Sequence, residues 1–217
     1  MHHRPAIATT LSVAVLLLSG CAASDWDDAR PTTTATGLPA AGFIPTPLPS
    51  PEGTVTPASG SWAGVDPAPG YRVVLLTSGE EERTATLSAA VVEWADAVSA
   101  DLRRVDAGED AIRSITEAMD MKPELIVAAG DGLIDPLAIV TPNHLDIPFL
   151  VLGAELAEPT ANVTAVEWTG AGFRGSGLGS TTQFDAASFT PERSAEAIRA
   201  GVAAVLTRMT GVVLWIH

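Results

Sequence analysis

The sequence predicts an α/β domain over residues 71–217, a parallel sheet in three layers with helices on both faces. Three observations carry this. Short β-branched and leucine-rich runs recur from Tyr71 onward, the composition of strands buried on both faces. Stretches with apolar residues three and four apart separate them, as crossover helices require. The preceding fifty residues are too rich in Pro, Thr, Gly, Ala and Ser to make a repeating apolar face.

Residues 1–20 read as a signal peptide: His2, His3 and Arg4, then the apolar run Leu11–Leu18, then Ser19 and Gly20. The run is too short to cross a bilayer, which needs about 20 apolar residues. Leu18-Ser19-Gly20-Cys21 resembles the lipobox of bacterial lipoproteins, which implies acylation of Cys21 and anchoring on the outer face of the cytoplasmic membrane. Cys21 is the only cysteine, so a disulfide within one chain and a thiolate zinc site are both excluded.

From residue 21 to 70, runs such as Pro31–Thr36 and Pro45–Pro51 read as a tether, because closely spaced prolines remove donors and favour extended backbone. Trp26, Phe43 and Trp62 read there as incidental or weakly docked.

The first buried strand is Arg72–Thr77. Leu87, Val91, Trp94, Val98 and Leu102 then fall along one helical stripe, and a weak strand follows near 101–105. Ile112, Ile115 and Met119 mark a second helix, ended by Lys122-Pro123 because the residue before proline is pushed from helical geometry. Glu124–Ala129 is the next strand. Asp135 as N-cap with Pro136 after it predicts a short helix to about Val140. Strands at 148–152 and 162–168, a helix at 191–209 with Ala195, Ile198, Val202 and Val205 inward, and a strand at 211–216 complete one domain.

The chain carries 12 Lys plus Arg against 26 Asp plus Glu, net −14, or −15 once the signal peptide takes Arg4 away. Such an exterior repels nucleic acid. No G-x-S-x-G elbow occurs, His144 is the lone histidine of the body apart from the terminal His217, and no histidine pair has metal-ligand spacing, so the sequence offers neither a catalytic set nor a metal site. Gly170-Ala-Gly-Phe-Arg-Gly175 spells G-x-G-x-x-G, but it follows a late strand and no acid-tipped strand comes about 20 residues on, so no dinucleotide and no other cofactor is expected.

Lys122–Gly130, the strand ending at Leu152-Gly153, Asn162–Gly175 and the close Ala195–Leu206 with Gly211–Trp215 resemble the basic membrane protein family of solute-binding lipoproteins. The resemblance implies the type 1 periplasmic binding fold, here one lobe of two, with a solute such as a nucleoside as ligand and an ABC importer as partner. It also implies that a second copy or another chain supplies the missing lobe, and that the glycine-rich stretch opens a helix packed on the sheet. Thr77-Ser78-Gly79-Glu80 stands where that family tends to place an acid and an aromatic. In open parallel sheets, ligands bind beyond the carboxyl ends of the strands. The candidate binding residues are therefore Thr77, Ser78, Asp131, Glu155 and Glu167, with Trp168 as a stacking surface. The expected function is a non-catalytic ligand-binding or sensing lipoprotein. The alternative is an interaction lipoprotein that keeps the fold without a small-molecule site, marked by an apolar surface patch instead of a pocket.

Overall fold

The computed structural model describes Trp26 and residues 34–217. The signal-peptide reading of residues 1–20 and the lipidation of Cys21 lie outside the described residues.

The elements in chain order are β1 (Ala35–Thr36), β2 (Thr54–Val55), β3 (Asp66–Pro67), β4 (Arg72–Thr77), α1 (Glu82–Ala97), β5 (Asp101–Asp106), α2 (Ala111–Asp120), β6 (Leu125–Ala129), α3 (Ile134–Val140), β7 (Phe149–Leu152), β8 (Val163–Glu167), α4 (Pro191–Leu206) and β9 (Val213–Trp215). The main sheet runs β2-β9-β8-β7-β6-β4-β5. Every pairing in it is parallel. The predicted fold class is the observed one.

Alternation along β4 shows how the layers are built. Val73 and Leu75 face a core completed by Leu87, Val91 and Trp94 of α1 and Ile198 of α4. Val74 and Leu76 face the other way, onto Ile115 and Met119 of α2 and Leu137 of α3. Successive strand residues point to opposite faces, so a run apolar at every position needs a helical layer on each side. Gly201 brings α4 close to the sheet, since a β-carbon there would collide with the Leu150 side chain.

The tether expected over residues 21–70 does not describe residues 34–70. Here β2 adds a seventh strand beside β9, Thr54 opposite Val213 and Val55 opposite Leu214. β1 and β3 pair antiparallel. Phe43 and Trp62 are buried, with ring centroids 6.5 Å apart, in the same core as α1 and α4. Trp26 is also buried, its indole N–H donating to Asp101 Oδ2 at 2.8 Å and its carbonyl accepting from the Arg72 guanidinium at 2.8 Å. Burying a large apolar side chain contributes about 2 kcal/mol, and scattered aromatics can hold a chain that lacks periodicity. The body therefore starts well before Tyr71.

Smaller corrections have local causes. Leu102 belongs to β5, not to the α1 stripe, because α1 ends at Ala97 and Ser99 takes φ 56° to turn the chain. Asp135 is not the cap of α3; that helix starts one residue earlier, and Asp135 accepts instead from the Ser176 backbone N–H at 2.9 Å. The glycine-rich stretch 170–175 opens no helix. Gly170, Gly172 and Gly175 all have positive φ, and the chain runs through turns and a single 3-10 turn at Ala186–Ser188 before α4 begins at Pro191.

Candidate functional site

The strand order reverses around β4: its successor β5 lies on one side of it and β6 on the other. Loops leaving the carboxyl ends of β4 and β6 lead toward opposite faces, the place where open parallel sheets take ligands. Thr77 and Ser78 leave β4 here and Gly130-Asp131-Gly132 leaves β6. The two loops touch, since a β-carbon on Gly132 would lie 3.2 Å from that of Ser78. Thr77 Oγ1 donates to Asp106 Oδ1 at 3.2 Å, tying the ends of β4 and β5 together.

Arg83, in the first turn of α1, organises this end of the sheet. Its guanidinium lies 2.9 Å from Asp131 Oδ1, its Nε donates to Glu81 Oε2 at 2.7 Å, and its plane covers the Phe184 ring at 5.0 Å. Partial burial raises the Asp131 carboxyl above its ordinary range, and Arg83 opposes that rise. Beside it a cavity of about 520 Å³ is lined by Glu81, Glu82, Arg83, Thr86, Phe184 and Phe189. Phe184 remains 49% exposed, so it presents an aromatic face to whatever enters. With Glu81, Glu82 and Asp131 against one arginine, the surroundings suit hydrogen-bond donors and cations, and repel anions.

The other predicted residues sit elsewhere and are engaged within the chain. Trp168, expected to offer a stacking face, is completely buried. Its indole N–H donates to Ser188 Oγ at 3.0 Å, and its ring meets Phe189 edge-on at 5.1 Å. Gly153 makes room for this cluster: it adopts φ 74°, and a β-carbon there would lie 2.7 Å from Phe189. Trp168 is a packing residue.

Glu167, its neighbour in sequence, points to the opposite face by strand alternation. It too is fully buried, both carboxyl oxygens accepting from Thr181 Oγ1 at 3.0 Å. Burial pushes its pKa up to about 7, with a further rise from Glu155 and opposition from Thr181 and Arg174. The Glu155 carboxyl is also raised by burial and lies 3.3 Å from Arg174 Nε. A cavity of about 230 Å³ bordered by Glu155, Arg174, Thr181 and Trp215 adjoins this pair. Glu167 holds the 170–182 loop onto the sheet.

The structure thus brings Thr77, Ser78 and Asp131 together and separates them from Glu155 and Glu167. Sequence reading missed Arg83 and Phe184. Arg83 is a charged residue on an ordinary helix turn, and Phe184 lies in a stretch with no periodicity, so neither carries a pattern. Among the described residues, no group of three or more His, Cys, Asp or Glu side chains is arranged to hold a metal ion.

No family profile and no curated protein matches this chain. Among solved structures it is similar to an ABC transporter solute-binding protein from Aeropyrum pernix K1, at 18% identity over 46% of this chain and 29% of that one, TM-score 0.39. It is also similar to a periplasmic ribose ABC transporter protein from Conexibacter woesei DSM 14684, at 16% identity over 68% of this chain and 54% of that one, TM-score 0.36. A third is an ABC transporter solute-binding protein from Bradyrhizobium sp. BTAi1 with bound Bis-Tris, at 13% identity over 88% and 60% of the two chains, TM-score 0.33. The chain spans well under two thirds of the first two. The parallel α/β arrangement rests on the sheet itself, and these distant likenesses assign no residue of the site.

Proposed function

We propose that this chain is an extracytoplasmic, non-catalytic binding domain, anchored through acylated Cys21, that takes a small solute in the cavity between the start of α1 and the 184–189 segment. The observation that carries the reading is the cavity of about 520 Å³ between the start of α1 and residues 184–189, with Arg83 held by Asp131 and Glu81 over the exposed Phe184 ring. The ligand it suits is uncharged or cationic, with hydroxyl or amine donors and a flat or apolar body. A nucleoside, an aromatic amine or a sugar meets that description. The resemblance of residues 122–130 and 162–175 to solute-binding lipoproteins supports the same class, and an importer role requires a second lobe.

The test is the melting temperature of residues 22–217 against nucleosides, sugars, amino acids and organic amines, with sugar phosphates as the anionic contrast. A ligand at 100 times its dissociation constant adds about 2.7 kcal/mol of stability. The expected result is a shift with one neutral or cationic class that Arg83→Met and Phe184→Ala each abolish. A cooperative melt with no shift in any class overturns solute binding and leaves the interaction-lipoprotein reading. Retention of the full chain in the membrane fraction, lost in Cys21→Ser, tests the anchor separately.

A further inference from the structure

Trp26 stands five residues after Cys21 in the sequence and is fastened to the amino-terminal edge of the sheet. Its indole N–H is bound to Asp101, the first residue of β5, and its carbonyl to Arg72, the first residue of β4. Its ring is covered by the Arg103 guanidinium at 4.2 Å, with Arg72 at 5.8 Å. It belongs to the core cluster shared with α2 and α3 and is 2% exposed. Two hydrogen bonds and two ring contacts, from three residues, make this a built attachment.

From these contacts we infer that the domain rides close to the lipid surface with the amino edge of its sheet toward the membrane and the carboxyl edge, bearing the cavity beside Arg83 and Phe184, directed outward. The inference rests on the proposed acylation of Cys21. Five residues span at most about 18 Å fully extended, whereas a free tether from residue 21 to 70 reaches about 165 Å. The fastening at Trp26 removes that length, and it does so at one end of the strands. A solute arriving from outside then meets the cavity directly, and a partner lobe can close over it without displacing lipid.

The experiment uses the processed, acylated full chain in vesicles of phosphatidylglycerol and phosphatidylethanolamine in equal amounts, carrying a rhodamine lipid acceptor. Because Cys21 is the only cysteine and is blocked by acylation, Asp120→Cys or Glu109→Cys supplies a single thiol for a donor dye. These positions flank α2 at the amino and carboxyl edges, about 15 Å apart along the ten-residue helix. Energy transfer is expected to be clearly stronger from the Asp120→Cys label. Inserting twenty Gly and Ser residues after Ala23 leaves every contact of Trp26 intact and adds a root-mean-square reach of about 25 Å. That insertion should erase the difference. Equal transfer from the two labels in the unlengthened chain overturns the orientation. Persistence of the difference after insertion overturns it as well, since something other than the Trp26 fastening then sets it. Failure of the acylated chain to float with vesicles, or flotation of Cys21→Ser, sinks the anchor reading instead and is told apart by the flotation step.

Discussion

Two regions at the carboxyl end of the same parallel sheet hold carboxylates and have opposite fates. At the ends of β4 and β6, Asp131 meets Arg83 beside an open cavity, and Phe184 still faces solvent. At the ends of β7 and β8, Glu155 and Glu167 are buried, and Glu167 spends its hydrogen bonds on Thr181 of the chain's own loop. Strand-order reversal separates them. Around β4 the neighbouring connections leave for opposite faces and the cavity lies beside the first turn of α1, whereas β6 to β9 add successively on one side and the long 169–190 segment folds over their ends. Equal position along a strand therefore does not mean equal access.

The comparison is tested most severely at Trp168. Truncation by Trp168→Ala should cost about 3–5 kcal/mol in urea unfolding, because it leaves a cavity between Phe189 and the sheet and an unpaired Ser188 hydroxyl. Near-wild-type stability would mean that this end of the sheet is open after all.

Next comes the titration of Glu167. Its folded pKa of about 7 lies above the ordinary 4.5, so the folded state holds the proton more tightly. The stability this contributes is fully present below pH 4.5 and is lost as pH rises through 7, with Asp131 and Glu155 acting in the same direction. Between those limits the loss from Glu167 amounts to about 3 kcal/mol. Glu167→Gln should flatten the dependence of the melting temperature over that range. An unchanged profile would assign the slope to another group.

Arg83→Met should move stability by no more than about 1 kcal/mol, since its ion pairs are partly open to water, while abolishing any ligand-induced shift. A large stability loss would make Arg83 a structural strut and weaken the contrast between the two ends. The smallest effect is expected at Asp135, whose carboxyl is held below its ordinary range by hydrogen bonds from Ser176. Asp135→Asn should cost under about 1 kcal/mol at pH 7, measured by the same unfolding curve. That contribution is present above the ordinary carboxylate range and fades as pH falls through the lowered pKa.

Several elements were legible because one local pattern fixed each of them. Arg72–Thr77 is apolar at nearly every position and became β4 with the predicted limits; Leu87, Val91 and Trp94 gave the buried stripe of α1. Alternation could also have separated Glu167 from Trp168, since adjacent strand residues cannot share a face. The attachment of residues 34–70 was not legible, for β2 contributes two residues and its partner β9 lies 158 positions further on. Phe43, Trp62 and Trp26 show no periodicity that distinguishes a docked aromatic from a stray one. Arg83 and Phe184 meet across about a hundred residues of chain, a distance no local signal crosses.

The sequence by itself determined the layering: runs apolar on both faces can be stable only between two layers of helices, so an α/β parallel sheet followed from composition and spacing. It also determined the acidity and the candidate acylation site. Tertiary structure alone decided which strand ends stay open, which carboxylates are sealed, and where the segment after Cys21 is fastened. Those outcomes depend on strand order and on contacts between residues far apart in the chain, and burial, which sets both access and charge state, exists only once those contacts have formed.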